Sequence, residues 1–428
     1  MKLLVVGGGG REHTLIWKLK QSPRVAKIYC APGNGGIARD AECIPCKAED
    51  IEGLVNFARR EKIDLTVVGP EAPLVAGIRD RFEAAGLKVF GPRAGAAVIE
   101  GSKVFAKQVM AKYRIPTADF QIFTDAAAAL AWVRELEGPC VVKADGLAAG
   151  KGVIVARDGG EAESAVRLIM EEKVFGRAGE AVVIEERLEG EEVSVLAFTD
   201  GKTVLPMVAS QDHKRVFDGD EGPNTGGMGA YSPPPVYTPE IHARVCSEIL
   251  NPLIQGLARE GREYQGVLYA GLMITEKGPC VLEFNCRFGD PEAQVVIPRL
   301  RSDLLEVMLA VLEGRLEEVE LEWDERAAVC VVLASGGYPG AYDEGKTISG
   351  LDEVPSDLLV FHAGTVKKDG EIVTSGGRVL GVTGFGKTIK EAVARTYKGV
   401  GKISFEGMHY RRDIAYRALR REGRGENA

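Results

Sequence analysis

Short apolar strand patterns alternate with helical patterns in the N-terminal part of the chain, and this order constrains the fold more than any other feature. In chain order the segments are 2–6 (strand), 15–19 (helix), 27–30 (strand), 51–60 (helix), 65–68 (strand), 78–85 (helix) and 89–90 (strand). A series of alternating strands and helices predicts an open, mostly parallel sheet. Ligands are then expected beyond the carboxyl ends of its strands.

The rest of the chain changes character twice. Helical and short strand patterns between 103 and 185 predict a small α+β unit, and an apolar strand at 328–333 begins a glycine-rich C-terminal region. We therefore predict an α/β protein of three parts. These are an N-terminal open parallel-sheet domain at 1–102, a central α+β region at 103–326 with a small subdomain at about 120–190, and a C-terminal mixed α/β domain at 327–428.

Bulk composition excludes several classes of protein. A formal net charge of −8 offers no basic surface for nucleic acid. The sequence contains no run of about 18 apolar residues, which a membrane-spanning helix needs, and its first apolar stretch is too short for a secretory signal. Eight cysteines in 428 residues indicate the buried thiols of a reducing compartment. We therefore expect a cytoplasmic protein that binds neither nucleic acid nor a membrane.

Three short motifs suggest functions that their details do not support. Segment 7–13 follows a strand as a dinucleotide-binding loop would, but Glu12 or His13 occupies the third glycine position. Segment 381–388 matches the P-loop pattern, yet no later strand carries an aspartate for magnesium, so we interpret it as a strand-turn-helix connection. Cys43 and Cys46 have no second pair at metal-binding spacing.

Two segments together suggest a nucleotide site. A strand pattern brings Lys143 next to the glycine loop 146–152, which contains Gly150 and Lys151. A strand-borne lysine and a glycine loop can hold a polyphosphate between them, although a surface hairpin with solvated lysines is an equally good interpretation of this segment alone. Lys103, at the start of a predicted helix, could reach the same phosphates.

The carboxylates after a third strand pattern suit the nucleoside part of such a ligand. The strand at 182–186 ends in Glu185 and Glu186, and Glu192 follows after a turn. Backbone groups there can hold an adenine, and a carboxylate can accept hydrogen bonds from ribose hydroxyls. A charged strand end exposed to solvent is the alternative, and it is common.

A strand near residue 285 carries the strongest signal. Glu283, Asn285 and Arg287 are spaced so that their side chains share one face of a strand. Carboxylate and amide oxygens suit a magnesium ion that bridges nucleotide phosphates, and a guanidinium can bind a carboxylate with two hydrogen bonds. Such a face is costly to bury without ligands.

The chain resembles the ATP-grasp enzymes, and within them the phosphoribosylamine-glycine ligase family, also called glycinamide ribonucleotide synthetases. The resemblance covers essentially the full chain. It rests on the ordered motifs GGGREH (8–13), APGN (31–34), VGPEAPL (68–74), KADGLAAGKG (143–152), SQDHKR (210–215), NTGGMGAY (224–231) and RFGDPEAQ (287–294). It implies an ATP-grasp domain at 103–326, with the subdomain at about 120–190 acting as a lid.

The resemblance also implies an activity. ATP, glycine and 5-phosphoribosylamine would give ADP, phosphate and glycinamide ribonucleotide through a glycyl phosphate intermediate, in purine biosynthesis. The implied cofactors are ATP and Mg²⁺, with Mn²⁺ as a substitute, and we expect a monomer whose partners are these small molecules. Tyr269-Ala270-Gly271 stands where many ATP-grasp enzymes carry another acidic metal ligand, which puts a second metal ion in doubt.

By the same resemblance, individual residues receive roles. The expected ATP contacts are Lys103, Lys143, Gly150, Lys151, Glu185, Glu186, Leu188 and Glu192. The expected metal ligands are Glu283 and Asn285. The expected catalytic residues are Arg287, Lys214 and Asp212, and Arg215 joins them near glycine and the γ-phosphate. The remaining expected substrate contacts are Gly10, Asn34, Glu71, Pro73 and Asp290, of which the first four would hold the phosphoribosyl group.

Two other interpretations stay open at this point. A different ATP-grasp ligase could join another amine to a carboxylate. A nucleotide-binding module without turnover is the second, although the combination of Lys143, Glu283, Asn285 and Arg287 argues against it. Release of ADP that requires both glycine and phosphoribosylamine separates all three hypotheses.

Overall fold

A computed structural model describes residues 1–136, 138–148 and 152–425 of the chain. The N-terminal part is a five-stranded parallel sheet with strand order β3-β2-β1-β4-β5. The strands are β1 (Lys2–Gly7), β2 (Lys27–Pro32), β3 (Glu42–Cys43), β4 (Leu65–Val68) and β5 (Val89–Phe90). The predicted open parallel sheet is confirmed.

Helices follow the strands of this sheet, as the alternating pattern predicts. They are α1 (Gly10–Leu19), α2 (Ile51–Glu61), α3 (Glu71–Val75), α4 (Ile78–Ala84) and α5 (Ala94–Gly101). The strand order reverses direction between β1 and β4. The segments after these two strands, which contain the glycine run and Glu71, therefore lie at the point where open α/β sheets bind ligands.

The small subdomain forms a separate four-stranded sheet with strand order β6-β9-β7-β8. It follows helix α6 (Lys103–Tyr113) and consists of β6 (Phe120–Phe123), α7 (Ala126–Glu135), β7 (Cys140–Ala144), β8 (Val153–Ala156), α8 (Gly159–Val166) and β9 (Val182–Glu186). Its buried apolar side chains form a cluster of their own, so this unit packs around its own core.

The second sheet of the central region faces the subdomain and has strand order β11-β10-β16-β17. In chain order this part contains β10 (Glu191–Thr199), β11 (Val204–Pro206), β12 (Gln211–Asp212), β13 (Arg215–Phe217), β14 (Glu221–Asn224), β15 (Gly229–Ser232), α9 (Pro239–Arg244), α10 (Asn251–Arg259), β16 (Gly266–Thr275), β17 (Gly278–Asn285), α11 (Ala293–Val296) and α12 (Leu304–Glu313).

The C-terminal part adds β18 (Ala327–Ala334), β19 (Leu359–His362), β20 (Thr365–Lys368), β21 (Glu371–Thr374), β22 (Arg378–Gly386), α13 (Ile389–Val400) and α14 (Tyr416–Gly425). Its main sheet has strand order β12-β15-β18-β22-β19, so two short strands from the central region belong to it. The main sheet therefore crosses residue 327, where we predicted a domain boundary.

Two of the three misleading motifs have ordinary structural explanations. Residues 381–386 lie inside strand β22, and Thr388 caps helix α13 by accepting a hydrogen bond from the Glu391 amide. The segment is therefore a strand followed by a helix, without a phosphate-binding loop between them. Cys43 and Cys46 are both free thiols.

No helix in the described part of the chain is long and apolar enough to cross a membrane.

Candidate active site

The candidate site begins in the cleft between the subdomain sheet and the second central sheet. Lys143, on β7, donates a hydrogen bond from Nζ to the Leu282 carbonyl of β17 at 3.0 Å. At the end of β7, Asp145 accepts hydrogen bonds from the Ser102 hydroxyl at 2.9 Å and the Val104 amide at 3.1 Å. These contacts fix the start of helix α6 against the strand that carries Lys143.

Buried cations gather at this position. Lys143 and Lys107 both form ion pairs with Glu185, whose side chain is 3% exposed. Lys103 lies one helical turn before Lys107 and donates to the Gly146 carbonyl at 2.9 Å. Burial lowers the pKa of Lys103, although the Glu283 carboxylate opposes this effect. Three lysines therefore line this cleft, and their charges suit the phosphate groups of a nucleotide.

The Glu185 side chain thus contacts lysines in this structure. We predicted that it contacts adenosine, and that role stays a prediction; its backbone pairs with Phe120 of β6 and Val141 of β7. Glu186 is exposed and accepts a hydrogen bond from the Asp119 amide at 3.2 Å. Leu188 is half-buried in the turn between β9 and β10. Gly150 and Lys151 lie outside the described residues.

The predicted face of β17 forms as expected. Asn285 donates from Nδ2 to Glu283 Oε1 at 3.4 Å, and Arg287 donates from Nη2 to Asn285 Oδ1 at the same distance. Opposite them on β16, Gly271 pairs with Glu283 and Tyr269 pairs with Asn285. A Cβ at position 271 would lie 3.3 Å from Glu283 Cγ, so glycine there makes room for the Glu283 side chain.

The donor set on this face fits a magnesium ion. Glu283 and Asn285 offer a carboxylate and an amide oxygen, which are the hard ligands that this ion prefers. Among the described residues, no group of three or more His, Cys, Asp or Glu side chains is arranged to hold a metal. Two protein ligands are sufficient where nucleotide phosphates and water fill the other positions.

Arg287 joins this face to the N-terminal sheet. Its guanidinium contacts Glu71 Oε2 at 3.1 Å and Glu100 Oε1 at 3.0 Å, and the Glu100 side chain is 7% exposed. Burial opposes the charge of Arg287, but Glu100 and Glu71 outweigh that effect and raise its pKa. Arg287 is therefore held as a cation between the nucleotide cleft and helix α3, which begins at Glu71.

A second charged group lies at the end of β12. Lys214 Nζ contacts Asp212 Oδ1 at 2.8 Å and Glu192 Oε2 at 2.7 Å. Burial raises the pKa of Asp212 to about 6, against the opposing charge of Lys214. The charge of Lys214 lowers the pKa of Glu192. Asp212 is therefore a carboxylate that exchanges a proton close to neutral pH.

The predicted phosphoribosyl contacts lie together at the switch point of the N-terminal sheet, but two of them have no free polar group. The Asn34 amide donates to the Gly8 carbonyl at 2.8 Å and the His362 carbonyl at 2.7 Å, and its oxygen accepts two backbone amides at 2.9 Å. Pro73 is buried inside α3. Gly10 faces Gln294, whose Nε2 would be 2.6 Å from a Cβ at that position.

Asp290 and Arg215 are the remaining expected substrate contacts, and they lie in different surroundings. Asp290 accepts hydrogen bonds from Gln294 Nε2 at 2.8 Å and from the Arg11 amide at 3.4 Å, so it sits beside the glycine run. Arg215 donates to the Gly222 carbonyl at 2.6 Å, within the hairpin that follows Lys214.

Comparisons with known proteins point to one family. Three models of phosphoribosylglycinamide synthetase match the chain: the N domain at 1–100, the ATP-grasp (A) domain at 101–293 and the C domain at 328–417. The phosphoribosylamine–glycine ligase of Caldanaerobacter subterraneus is 54% identical over 97% of this chain and 99% of its own length. The ligase of the same name from Pseudomonas aeruginosa is 54% identical over all of both chains.

The chain belongs to the phosphoribosylamine–glycine ligase family. The crystal structure of the family member from Thermotoga maritima matches with a TM-score of 0.86 and 36% identity, over 97% of this chain and 100% of that one. The biotin carboxylase domain of Hydrogenobacter thermophilus 2-oxoglutarate carboxylase matches with a TM-score of 0.73 at 16% identity, which shows a shared fold. The predicted family and fold class are confirmed, and as an ATP-grasp protein the chain binds ATP and a divalent metal ion.

Several residues of this family member were missed by the sequence analysis. Ser194, Tyr269 and Glu292 form a buried network in which Glu292 Oε1 accepts from the Ser194 hydroxyl at 3.1 Å and the Tyr269 hydroxyl at 3.0 Å. Glu292 is part of the RFGDPEAQ motif, so the motif itself was the available signal. Lys107 was recognisable as the residue one helical turn after Lys103. Glu100, the one acid in an apolar helix, was also recognisable.

Proposed function

We propose that the chain catalyses the ATP-dependent ligation of glycine to 5-phosphoribosylamine, with glycinamide ribonucleotide, ADP and phosphate as products. One observation carries this proposal. Arg287 lies next to Asn285 on the metal-binding face and also contacts Glu71 at the switch point of the first sheet. The nucleotide cleft and the expected sugar site therefore share one guanidinium, which suits a reaction between a phosphorylated acid and a sugar amine.

In the first step that we propose, the glycine carboxylate attacks the γ-phosphorus of ATP, and the bond from that phosphorus to the ADP oxygen breaks. Lys103 and Lys143 would hold the phosphates and neutralise their charge, which is the main work in phosphoryl transfer. Glu283 and Asn285 would hold the metal ion, Mg²⁺ or Mn²⁺, which screens charge on the phosphates when bound. Arg287 would place its positive charge beside the glycine carboxylate.

In the second step, the amine of phosphoribosylamine attacks the carbonyl carbon of glycyl phosphate. The carbon–nitrogen bond forms, the bond to the phosphate oxygen breaks, and the amine loses a proton. Asp212 is suited to take that proton, because its pKa of about 6 keeps most of it ionised at neutral pH while leaving it a useful base. Lys214, beside it, can neutralise the departing phosphate.

Glycyl phosphate would hydrolyse if water reached it, so the proposal needs a cover over the cleft. The segment 146–152 is our candidate, although residues 149–151 lie outside the described part of the chain. Gly146 adopts a left-handed backbone conformation with φ of 130° and lies next to Ala178, so the segment turns sharply as it leaves β7.

Release of ADP with each substrate omitted in turn tests the proposal. We expect turnover only when glycine and phosphoribosylamine are both present, and we expect alanine and β-alanine to support little of it. Turnover without glycine would contradict the proposal. Turnover with glycine and a different amine would favour another ATP-grasp ligase, and binding of ATP without any turnover would favour a binding module. The monomeric state stays a prediction, which sedimentation of the same sample tests.

A further inference from the structure

The residues expected to hold the phosphoribosyl group lack a positive charge. Gly10 and Pro73 are uncharged, Glu71 is an anion, and the Asn34 amide makes its four hydrogen bonds with the backbone. The phosphate of a phosphoribosyl substrate carries close to two negative charges at neutral pH. Backbone amides can bind part of this charge, and a cationic side chain to pair with it would come from another part of the chain.

Two of the nearby arginines already have carboxylate partners of their own. Arg11 Nε donates to Glu12 Oε1 at 2.6 Å, and both side chains are nearly fully buried. Arg287 uses its three guanidinium nitrogens on Glu71, Glu100, Asn285 and the Phe288 carbonyl. Neither has a free pair of donors for a phosphate.

Arg378, at the start of β22, is arranged differently. Only its Nη1 makes hydrogen bonds with described residues, to the Gly226 carbonyl at 2.6 Å, the Asp290 carbonyl at 2.8 Å and, weakly, the Gly227 carbonyl at 3.5 Å. Nη1 also lies 3.3 Å from Asp290 Oδ1, and the side chain is 23% exposed. The guanidinium is thus anchored through one nitrogen, while Nε and Nη2 have no acceptor in the described part of the chain.

The position of Arg378 is next to the expected sugar site. Asp290, its anchor, also accepts a hydrogen bond from the Arg11 amide beside the glycine run. The Gly364 amide donates to the Arg378 carbonyl at 2.9 Å, and Gly35 donates to the Thr365 carbonyl at 3.0 Å. Residues 364–365, which follow β19 and pair with Arg378, therefore contact the loop that contains Asn34.

We propose that Arg378 binds the phosphate of the phosphoribosyl substrate through Nε and Nη2. This inference rests on the proposed function and extends it, because it assigns part of the sugar-phosphate site to the C-terminal domain. An arginine whose two free nitrogens lie on one edge matches two phosphate oxygens, and anchoring through the third nitrogen reduces the entropy lost on binding. Gly226 helps, since a Cβ there would be 2.9 Å from the Arg378 Cζ.

Steady-state kinetics of three variants test the inference. Arg378→Met is expected to lower kcat/KM for phosphoribosylamine by about 10- to 100-fold, the effect of losing charged hydrogen bonds, with KM for ATP and glycine changed by less than about twofold. Arg378→Lys keeps the charge without the paired donors, so its kcat/KM for phosphoribosylamine should lie between those of the wild type and Arg378→Met. Gly226→Ala should also lower kcat/KM for phosphoribosylamine. Arg395→Met, which replaces a half-buried arginine of α13 in the same domain, is the matched control and should leave these kinetic constants unchanged.

A binding measurement without turnover separates this inference from the proposed function. Ribose 5-phosphate should raise the melting temperature of the wild type and of Arg395→Met, ribose should not, and Arg378→Met should lose the response to ribose 5-phosphate. An Arg378→Met variant that keeps its melting response to ribose 5-phosphate would overturn the inference. So would an equal loss of kcat/KM for all three substrates, or a rise in KM for ATP alone. If the inference alone is wrong, the wild type still releases ADP only with glycine and phosphoribosylamine.

Discussion

Arg287 and Glu100 form an ion pair of 3.0 Å that ties the residues just after strand β17 to helix α5. The other oxygen of Glu100 accepts a hydrogen bond from the Cys286 amide at 2.7 Å. Burial raises the pKa of the Glu100 carboxyl, and Arg287 opposes that effect. The carboxylate thus holds both the guanidinium and the backbone beside it, without being a predicted contact of any substrate itself.

Replacing Glu100 should therefore act on the site through Arg287. In Glu100→Gln the side-chain carbonyl oxygen can still accept a hydrogen bond from the Cys286 backbone amide, but the Arg287 guanidinium loses a charged partner. We expect a loss of about 1–3 kcal/mol in the free energy of unfolding, typical of a broken buried charged contact, and a higher KM for glycine. Urea unfolding and glycine kinetics measure the two effects. An unchanged KM for glycine would contradict the positioning role.

The proposed metal-binding face of β17 offers a sharper test. Glu283→Gln should reduce turnover by at least about 100-fold, because an amide replaces the charged ligand and leaves phosphate charge unscreened. Glu276→Gln is the matched control, since Glu276 is exposed in the turn of the same hairpin. Both variants should melt near the wild-type temperature. A fully active, folded Glu283→Gln would rule out this metal site.

The pH dependence of turnover should follow Asp212. Since its pKa lies at about 6 and the proposed base must be ionised, kcat should fall as the pH drops through 6. Asp212→Asn should remove most of the activity and this limb of the profile. If the residual activity of Asp212→Asn still falls as the pH drops through 6, the titrating group is not Asp212.

Stability should change with pH in the opposite direction. The pKa of Asp212 is raised from its ordinary 3.8, so the folded state binds more protons than the unfolded state between 3.8 and about 6. Its contribution therefore destabilises the fold as pH rises through that window. Asp212→Asn should gain stability relative to the wild type from pH 4 to pH 7, measured by urea unfolding at both values.

The Glu12 side chain, which binds the glycine run, needs the space that Gly69 leaves beside it. A Cβ on Gly69 would be 2.0 Å from Glu12 Oε1, and Glu12 Oε2 accepts the Gly9 amide at 2.6 Å. Gly69→Ala should cost about 1–3 kcal/mol of stability through overpacking and raise KM for phosphoribosylamine. Gly160→Ala, in the first turn of α8, meets nothing closer than 3.4 Å and should be neutral or slightly stabilising. Thermal unfolding of the pair checks this, and equal effects would contradict it.

Much of the fold was predictable from local pattern. The parallel N-terminal sheet followed from alternating strands and helices, and the shared face of Glu283, Asn285 and Arg287 followed from the twofold period of a strand. The sharing of β12 and β15 with the C-terminal sheet was not predictable, because β12 has two residues and β15 has four. Strands that short carry too little periodicity to reveal a partner.

The candidate site was predictable in composition but not in pairing. Motifs identified Lys143, Glu185 and Arg287, yet the sequence did not indicate that Glu185 lies between two lysines or that Asn34 binds the backbone on both sides of a domain junction. Hydrogen-bond partners of a polar side chain depend on which elements pack beside it, and these come from distant parts of the chain.

By itself, the sequence determined the family, the parallel sheet and the chemical types of the site residues, because backbone geometry and ordered motifs act over a few neighbouring residues. Only the tertiary structure decided which charges meet. The pairs Arg287–Glu100 and Arg378–Asp290 join residues that lie far apart in the sequence, on different sheets and helices. Their geometry depends on how sheets and helices pack together, and no local pattern specifies that packing.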